Sequence, residues 1–92
     1  MYELDIRPKL YKQLEKLENK NVVIYDAIFK KVDEILENPK RHENLKAPLN
    51  KMRGVHIQKS FVLLYSIDEE TKIVTLEKFM HHPDSHRWNR HR

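Results

Sequence analysis

The chain has 92 residues, 39% of them hydrophobic and 35% charged, with no Cys. That length fits one small domain with little stability in reserve. The lack of Cys excludes a disulfide framework, a zinc ribbon and a thiol nucleophile. The net charge of +4 and a pI of about 9.4 suit a polyanionic partner, either nucleic acid or an acidic protein surface. The charge is uneven along the chain: residues 1–37 hold seven Lys+Arg against eight Asp+Glu, whereas residues 38–92 hold eleven against six and all six His. Met-Tyr-Glu-Leu-Asp-Ile lacks the character of a signal peptide and no apolar run approaches a membrane span, so a cytoplasmic protein with no membrane partner is expected.

Tyr2, Leu4 and Ile6 alternate with Glu3 and Asp5, which predicts a strand with one buried face. Arg7-Pro8 ends it, and Pro8 fits the first turn of a helix. Leu10, Leu14 and Leu17 recur at helical spacing, and Asn19-Lys20-Asn21 interrupts the pattern. A second helix is predicted from Val22 to Leu36, with Ile24, Ala27, Ile28, Val32, Ile35 and Leu36 as its stripe. Asn38-Pro39 stops it, because the residue before Pro avoids helical geometry. Residues 38–48 are polar and basic and read as a loop tethered by Leu45 and Leu49. An irregular strand from Leu49 to Ile57 is expected to bulge at Gly54, the only glycine. Phe61–Ile67 and Ile73–Phe79 read as a hairpin across Asp68–Lys72. Within it Val62-Leu63-Leu64-Tyr65 is a continuous apolar run, expected in a central strand covered on both faces. The second run has a mixed alternation, and Pro83 ends it before a polar tail carrying Trp88. The order is β-α-α-β-β-β over one domain, residues 1–92. The fold class is α+β, with a C-terminal antiparallel meander, a helical hairpin on one face, and a second face partly open to a ligand.

Histidines flank the hairpin. Pairing its strands brings His82 back towards His56 and gathers Arg53, Lys59 and Lys78 nearby. Two imidazoles among cations suit cleavage of a phosphodiester, since an unperturbed imidazole changes charge near pH ~6.5. His82 and His56 are the candidate acid and base, in either order, with His86 and His81 as further candidates. The plainer alternatives are a solvated tail histidine for His82 and an exposed strand residue for His56. Lys46, Lys51, Arg53, Lys59 and Lys78 are candidate phosphate contacts, Arg53 foremost because its planar fork matches phosphate oxygens. Trp88 either stacks on a base or packs the tail against the sheet. Tyr65 reads as core. His82 and His86 are four apart, but no acidic or thiol ligand accompanies them, so neither a dedicated metal site nor a small-molecule cofactor is expected.

Asn38-Pro39, Leu45-Lys46-Ala47-Pro48-Leu49, Arg53-Gly54-Val55-His56-Ile57, Val62-Leu63-Leu64-Tyr65 and the His-rich end, in this order, resemble the RelE/ParE toxin superfamily over nearly the whole chain. The likeness is greatest to the YafQ-like branch of RelE-type mRNA interferases. That branch has a His-Ile step entering the hairpin, an apolar run ending in Tyr and a His just after the last strand. Here these are His56-Ile57, Val62–Tyr65, and His82 or His81. The resemblance implies a RelE-like fold and a toxin of a type II toxin–antitoxin pair. It further implies cutting of mRNA on the ribosome by attack of the 2′-hydroxyl, without a metal, and neutralisation by a cognate antitoxin. Many RelE relatives carry an Arg where this chain has Val62, and the YafQ-like branch lacks it too. Ala47 and Ser60 stand where that branch has a His and an acidic residue, so either His86, Lys46 or Lys51 compensates or activity is reduced or lost. The competing readings are a ParE-like inhibitor of DNA gyrase, which needs no proton-transfer pair, and a non-catalytic module binding RNA or an antitoxin.

Overall fold

The computed structural model describes residues 2–42, 44–45 and 51–81. Its elements are β1 (Glu3–Ile6), α1 (Pro8–Lys20), α2 (Val22–Glu37), a one-turn 3-10 helix (Pro39–Arg41), β2 (Arg53–Ile57), β3 (Phe61–Asp68) and β4 (Ile73–His81). The expected β-α-α-β-β-β order holds, with the 3-10 turn formed inside the segment read as a loop. Pro8 opens α1, and Asn21 both closes α1 and caps α2, its side chain accepting a hydrogen bond from the Ile24 amide at 3.2 Å. An Asn is suited to this because its short side chain reaches the orphan amides of a first helical turn. Among the described residues no helix is long and apolar enough to cross a membrane.

The sheet order is β1-β4-β3-β2. The last three strands form the antiparallel meander, and β1 adds to the outer edge of β4 in parallel, Glu3 opposite Ile73 through Ile6 opposite Leu76. β1 is therefore an edge strand, and Leu4 stays 37% exposed, so the buried face expected of it is incomplete. Leu10 and Leu14 of α1 and Ile24, Ile28, Val32 and Ile35 of α2 pack against Val55, Ile57, Leu63, Tyr65, Val74, Leu76 and Phe79 of the sheet. The other face of β3 is also dry: Val62 and Leu64 are buried with Leu45, and Met52 and Met80 pack against them. The apolar run Val62–Tyr65 thus lies between two cores, as its lack of alternation implies.

Gly54 is not at a bulge. β2 pairs with β3 without interruption from Arg53 opposite Tyr65 to Ile57 opposite Phe61. Gly54 sits directly opposite Leu64, and a Cβ there would lie 3.1 Å from a Leu64 methyl group, so close packing accounts for the missing side chain. The irregularity lies instead between β3 and β4: Leu64 pairs with Lys78 and Tyr65 with Leu76, leaving Glu77 as an extra residue. This bulge explains the mixed pattern of the last run. Val74 and Leu76 face the helices two apart, and the next inward residue, Phe79, comes after three.

Tyr65 is fully buried, and its hydroxyl donates to the Pro39 carbonyl at 2.7 Å, tying the 3-10 turn to the sheet. Burial raises the phenol's pKa to about 12, so it remains a donor at any ordinary pH. Tyr65→Phe keeps the ring and loses that bond, and is expected to destabilise the fold by about 1–2 kcal/mol. Ile28→Ala, at a site with no exposure, is expected to cost about 2–5 kcal/mol. Urea unfolding midpoints measure both, with the larger loss at Ile28.

Candidate functional site

Side chains directly opposite one another in an antiparallel pair share a face. The registers therefore define two rows on the sheet face away from the helices: His56, Val62 and Met80 in one, Gly54, Leu64 and Lys78 in the next. His56 and Lys78 are both exposed. They stand two strands apart and one two-residue step along, on the order of 12 Å between backbones. Between them Val62 and Leu64 are buried, and Leu45, Met52 and Met80 pack over them, so the apolar floor is this cluster rather than the strand itself. A long Lys side chain and an imidazole rising from such a floor can reach a common phosphate.

His81 pairs with Phe61, which pairs with Ile57, so the register sends it to the helix-bearing face. There its ring stands edge-on to Phe61 with centroids 5.4 Å apart. Lys59 is exposed in the Gln58–Ser60 turn, at the same end of the sheet as His81, and Ser60 is exposed beside it. His82, His86, Lys46, Trp88 and Ala47 lie outside the described residues.

Arg53 and Lys51 are at the opposite end. Arg53 pairs with Tyr65, and its guanidinium donates to the backbone carbonyls of Lys40 at 3.4 Å and of His42. Its fork is aimed at the carbonyl ends of the 3-10 turn. Together with Lys40, Asn44, Lys51, Ser66, Ile67 and Glu69 it lines a hollow of about 430 Å³. The hairpin pairing is expected to gather Arg53 beside His56, and the structure does not bear this out. Three residues along a strand lead to opposite faces and roughly 10 Å of separation.

The same end is tied together by charge. Glu69, in the β3–β4 turn, pairs with Lys40, accepts from the Tyr2 hydroxyl at 2.5 Å and lies 3.5 Å from the Lys72 ammonium. These contacts, the Lys40 hydrogen bond first, hold its carboxyl down at about 2. His42, partly buried with its ring edge-on to Tyr65 at 6.4 Å, is pushed below the usual imidazole range by burial first and then by the charges of Lys31 and Arg41.

Sequence reading did not single out Glu77. Its carboxylate is only 10% exposed and takes two bonds from Arg7, Nε at 2.8 Å and Nη2 at 3.2 Å. The Ser66 hydroxyl donates to it at 2.6 Å. Burial alone would raise its pKa, but the bonds from Arg7 and Ser66 outweigh this and keep it below the ordinary carboxylate value. The usable signal was the broken alternation Val74, Leu76, Phe79, which marks an extra residue between the last two.

Both carboxyls titrate lower in the folded chain than in the unfolded one. Their stabilisation is therefore complete above the ordinary value of 4.5 and is lost as pH falls, towards about 2 for Glu69. Thermal midpoints measured from pH 5 down to about 2 should fall. Glu69→Gln should start lower at neutral pH and fall less steeply, and a slope equal to wild type would show that Glu69 adds nothing to acid sensitivity.

The family model for the ParE toxin of type II toxin–antitoxin systems, parDE, matches residues 4–85. The chain is 55% identical over 82 residues to an uncharacterised protein of Methanosarcina mazei, covering 89% of this chain and 95% of that one. It is 46% identical over 82 residues to a Methanocaldococcus jannaschii protein designated RelE4, covering 89% and 87% respectively. Among solved structures, the isolated E. coli RelE toxin superposes over the full length of both chains with a TM-score of 0.74 at 21% identity. The YoeB/ParE toxin of Agrobacterium tumefaciens superposes with a TM-score of 0.78 at 12% identity, over 87% of this chain and 98% of that one. At these identities the structural likeness speaks for the fold, which is that of RelE-like toxins.

Proposed function

The chain belongs to the ParE toxin family of type II toxin–antitoxin systems and is a toxin of the RelE/ParE type; on that premise we propose that it is a ribosome-dependent mRNA endoribonuclease of the YafQ-like branch, held inactive by a cognate antitoxin. The observation that carries this reading is the pair of exposed residues His56 and Lys78 on one apolar-floored sheet face. An inhibitor that acts by binding alone has no need of an imidazole there. The YafQ-like assignment rests on His56-Ile57 in β2, on the buried Val62 where other RelE relatives carry Arg, and on the histidines at the end of β4.

Cleavage follows from what these groups do chemically. One imidazole, of His56 or His82, takes the proton of a ribose 2′-hydroxyl as its oxygen attacks the adjacent phosphorus. The bond from phosphorus to the 5′-oxygen breaks, and the other imidazole delivers a proton to that leaving oxygen. Lys78 offsets the charge that builds on the non-bridging oxygens, with Lys46, Lys59 or Lys51 along the strand of RNA and Trp88 available to stack on a base. His86 is the reserve for the groups that Ala47 and Ser60 do not supply. The 2′-hydroxyl is the nucleophile, so no metal is required, and a substrate without it is not cut.

The family model's ParE description favours a second reading, inhibition of DNA gyrase without RNA cleavage. The two separate cleanly in a reconstituted translation reaction. Wild-type protein is expected to cut within translated codons, and His56→Ala and His82→Ala are each expected to lower the rate about 10²- to 10⁴-fold while remaining folded. Absence of cuts by folded wild type on competent ribosomes would overturn the nuclease reading. Loss of gyrase supercoiling activity on adding the same protein would then establish the second.

A further inference from the structure

We infer that Glu77 is a positioning residue for the proposed RNA-cleaving face: clamped between Arg7 and Ser66, it pins the extra residue of β4 between Leu76, which stays in the helix-side core, and Lys78, which is thereby turned onto the face carrying His56. The inference rests on the nuclease reading for its effect on RNA, and on register and hydrogen bonding for its structural part.

Side chains along a strand alternate, so a single extra residue inverts the phase of everything after it. Val74 and Leu76 of β4 face the helices. Unbroken alternation from them would carry Lys78 and Met80 to the helix face and Phe79 to the far face. The observed pairing, Leu64 with Lys78 and Tyr65 with Leu76, does the reverse. Phe79 packs in the helix-side core, stacked on Phe61 with centroids 5.0 Å apart. Lys78 and Met80 share the far face with Leu64 and Val62, and so with Gly54 and His56.

An extra residue can in principle sit at several points along a strand pair, and Glu77 has what selects one. Its carboxylate bonds Ser66 across the pair on β3 and Arg7 at the junction of β1 and α1. The Arg7 amide also donates to the Leu76 carbonyl at 3.1 Å. Three bonds to a carboxylate that is 90% covered are needed to offset its desolvation. Sliding the bulge by one residue would leave that carboxylate without them. Lys78 adds its own charge beside it. With its carboxylate oxygens bonded by Arg7 and Ser66, Glu77 is assigned an effect through Lys78 and no contact with the reacting atoms.

The test uses the full chain in the translation reaction, with rates expressed per folded molecule. Glu77→Ala is expected to lower the cleavage rate roughly 10²-fold, Lys78→Ala comparably, and the double variant no further than the worse single one. Glu77→Gln keeps one oxygen that can accept from Ser66 and one Arg7 nitrogen but turns an amide NH2 towards the other, and is expected to lose less activity than Glu77→Ala, which a requirement for the charge alone does not explain. Arg7→Lys, lacking the planar fork, should fall between them. NMR cross-strand contacts of Leu64 with Lys78 should persist in the Gln variant and vanish in the Ala variant. Multiplicative losses in the double variant, or Leu64–Lys78 contacts intact in Glu77→Ala, would overturn the inference. A wild type that binds ribosomes without cutting would remove the nuclease reading instead, and the NMR contacts would still decide whether Glu77 holds the bulge.

Discussion

Four consecutive buried residues, Val62 to Tyr65, leave the centre of β3 no side facing water, and most of the architecture follows from covering both. The helical hairpin supplies one cover, with Ile28 and Ile35 fully buried against the sheet. Leu45, Met52 and Met80 supply the other. A strand dry on both faces has to be interior in its sheet, and β3 is flanked by β2 and β4. Two covers also make opposing demands on β4, which must send Leu76 and Phe79 inward yet present Met80 to the second cluster. No strictly alternating strand satisfies both, because Leu76 and Met80 are an even number of residues apart. The bulge at Glu77 resolves the conflict, and the residue it inserts is a carboxylate that Arg7 and Ser66 can hold.

Charge then divides the molecule by end. Around the β3–β4 turn, cations are matched to acceptors: Lys40 and Lys72 to Glu69, and Arg53 to the carbonyls of Lys40 and His42. Such pairs tie the 3-10 turn to β2 and to the last hairpin, contacts between parts of the chain apart in sequence. Towards the other end, His56 and Lys78 rise from an apolar floor. A hydrophobic surface beneath a cation and an imidazole lowers the local dielectric, which would strengthen the action on a phosphate proposed for them.

The helices and their stripes, the stop at Asn38-Pro39, the central position of β3 and the burial of Tyr65 were all legible in the sequence, because each depends on local periodicity or on one residue's backbone preference. The parallel partnership of β1 with β4 was not, since pairing between strands some 70 residues apart leaves no local pattern. Gly54 was misread because a lone glycine in a strand signals either a bulge or a close approach, and only the position of Leu64 decides between them. At the candidate site, His56 and Lys78 are singled out by the expected pairing of the hairpin and do share a face. Arg53 was named on the same grounds, but odd spacing from His56 along one strand sends it to the other face. Glu77 escaped notice because its significance comes from Arg7 and Ser66, brought to it only by the fold.

The chemistry of the cut ends tests the central claim most directly. If imidazoles of this chain drive attack by the 2′-hydroxyl, the upstream fragments of mRNA cut on the ribosome carry 2′,3′-cyclic phosphate and the downstream fragments begin with a 5′-hydroxyl. Downstream fragments beginning with a 5′-phosphate would mean that water or a metal-bound hydroxide is the nucleophile, and would contradict the account.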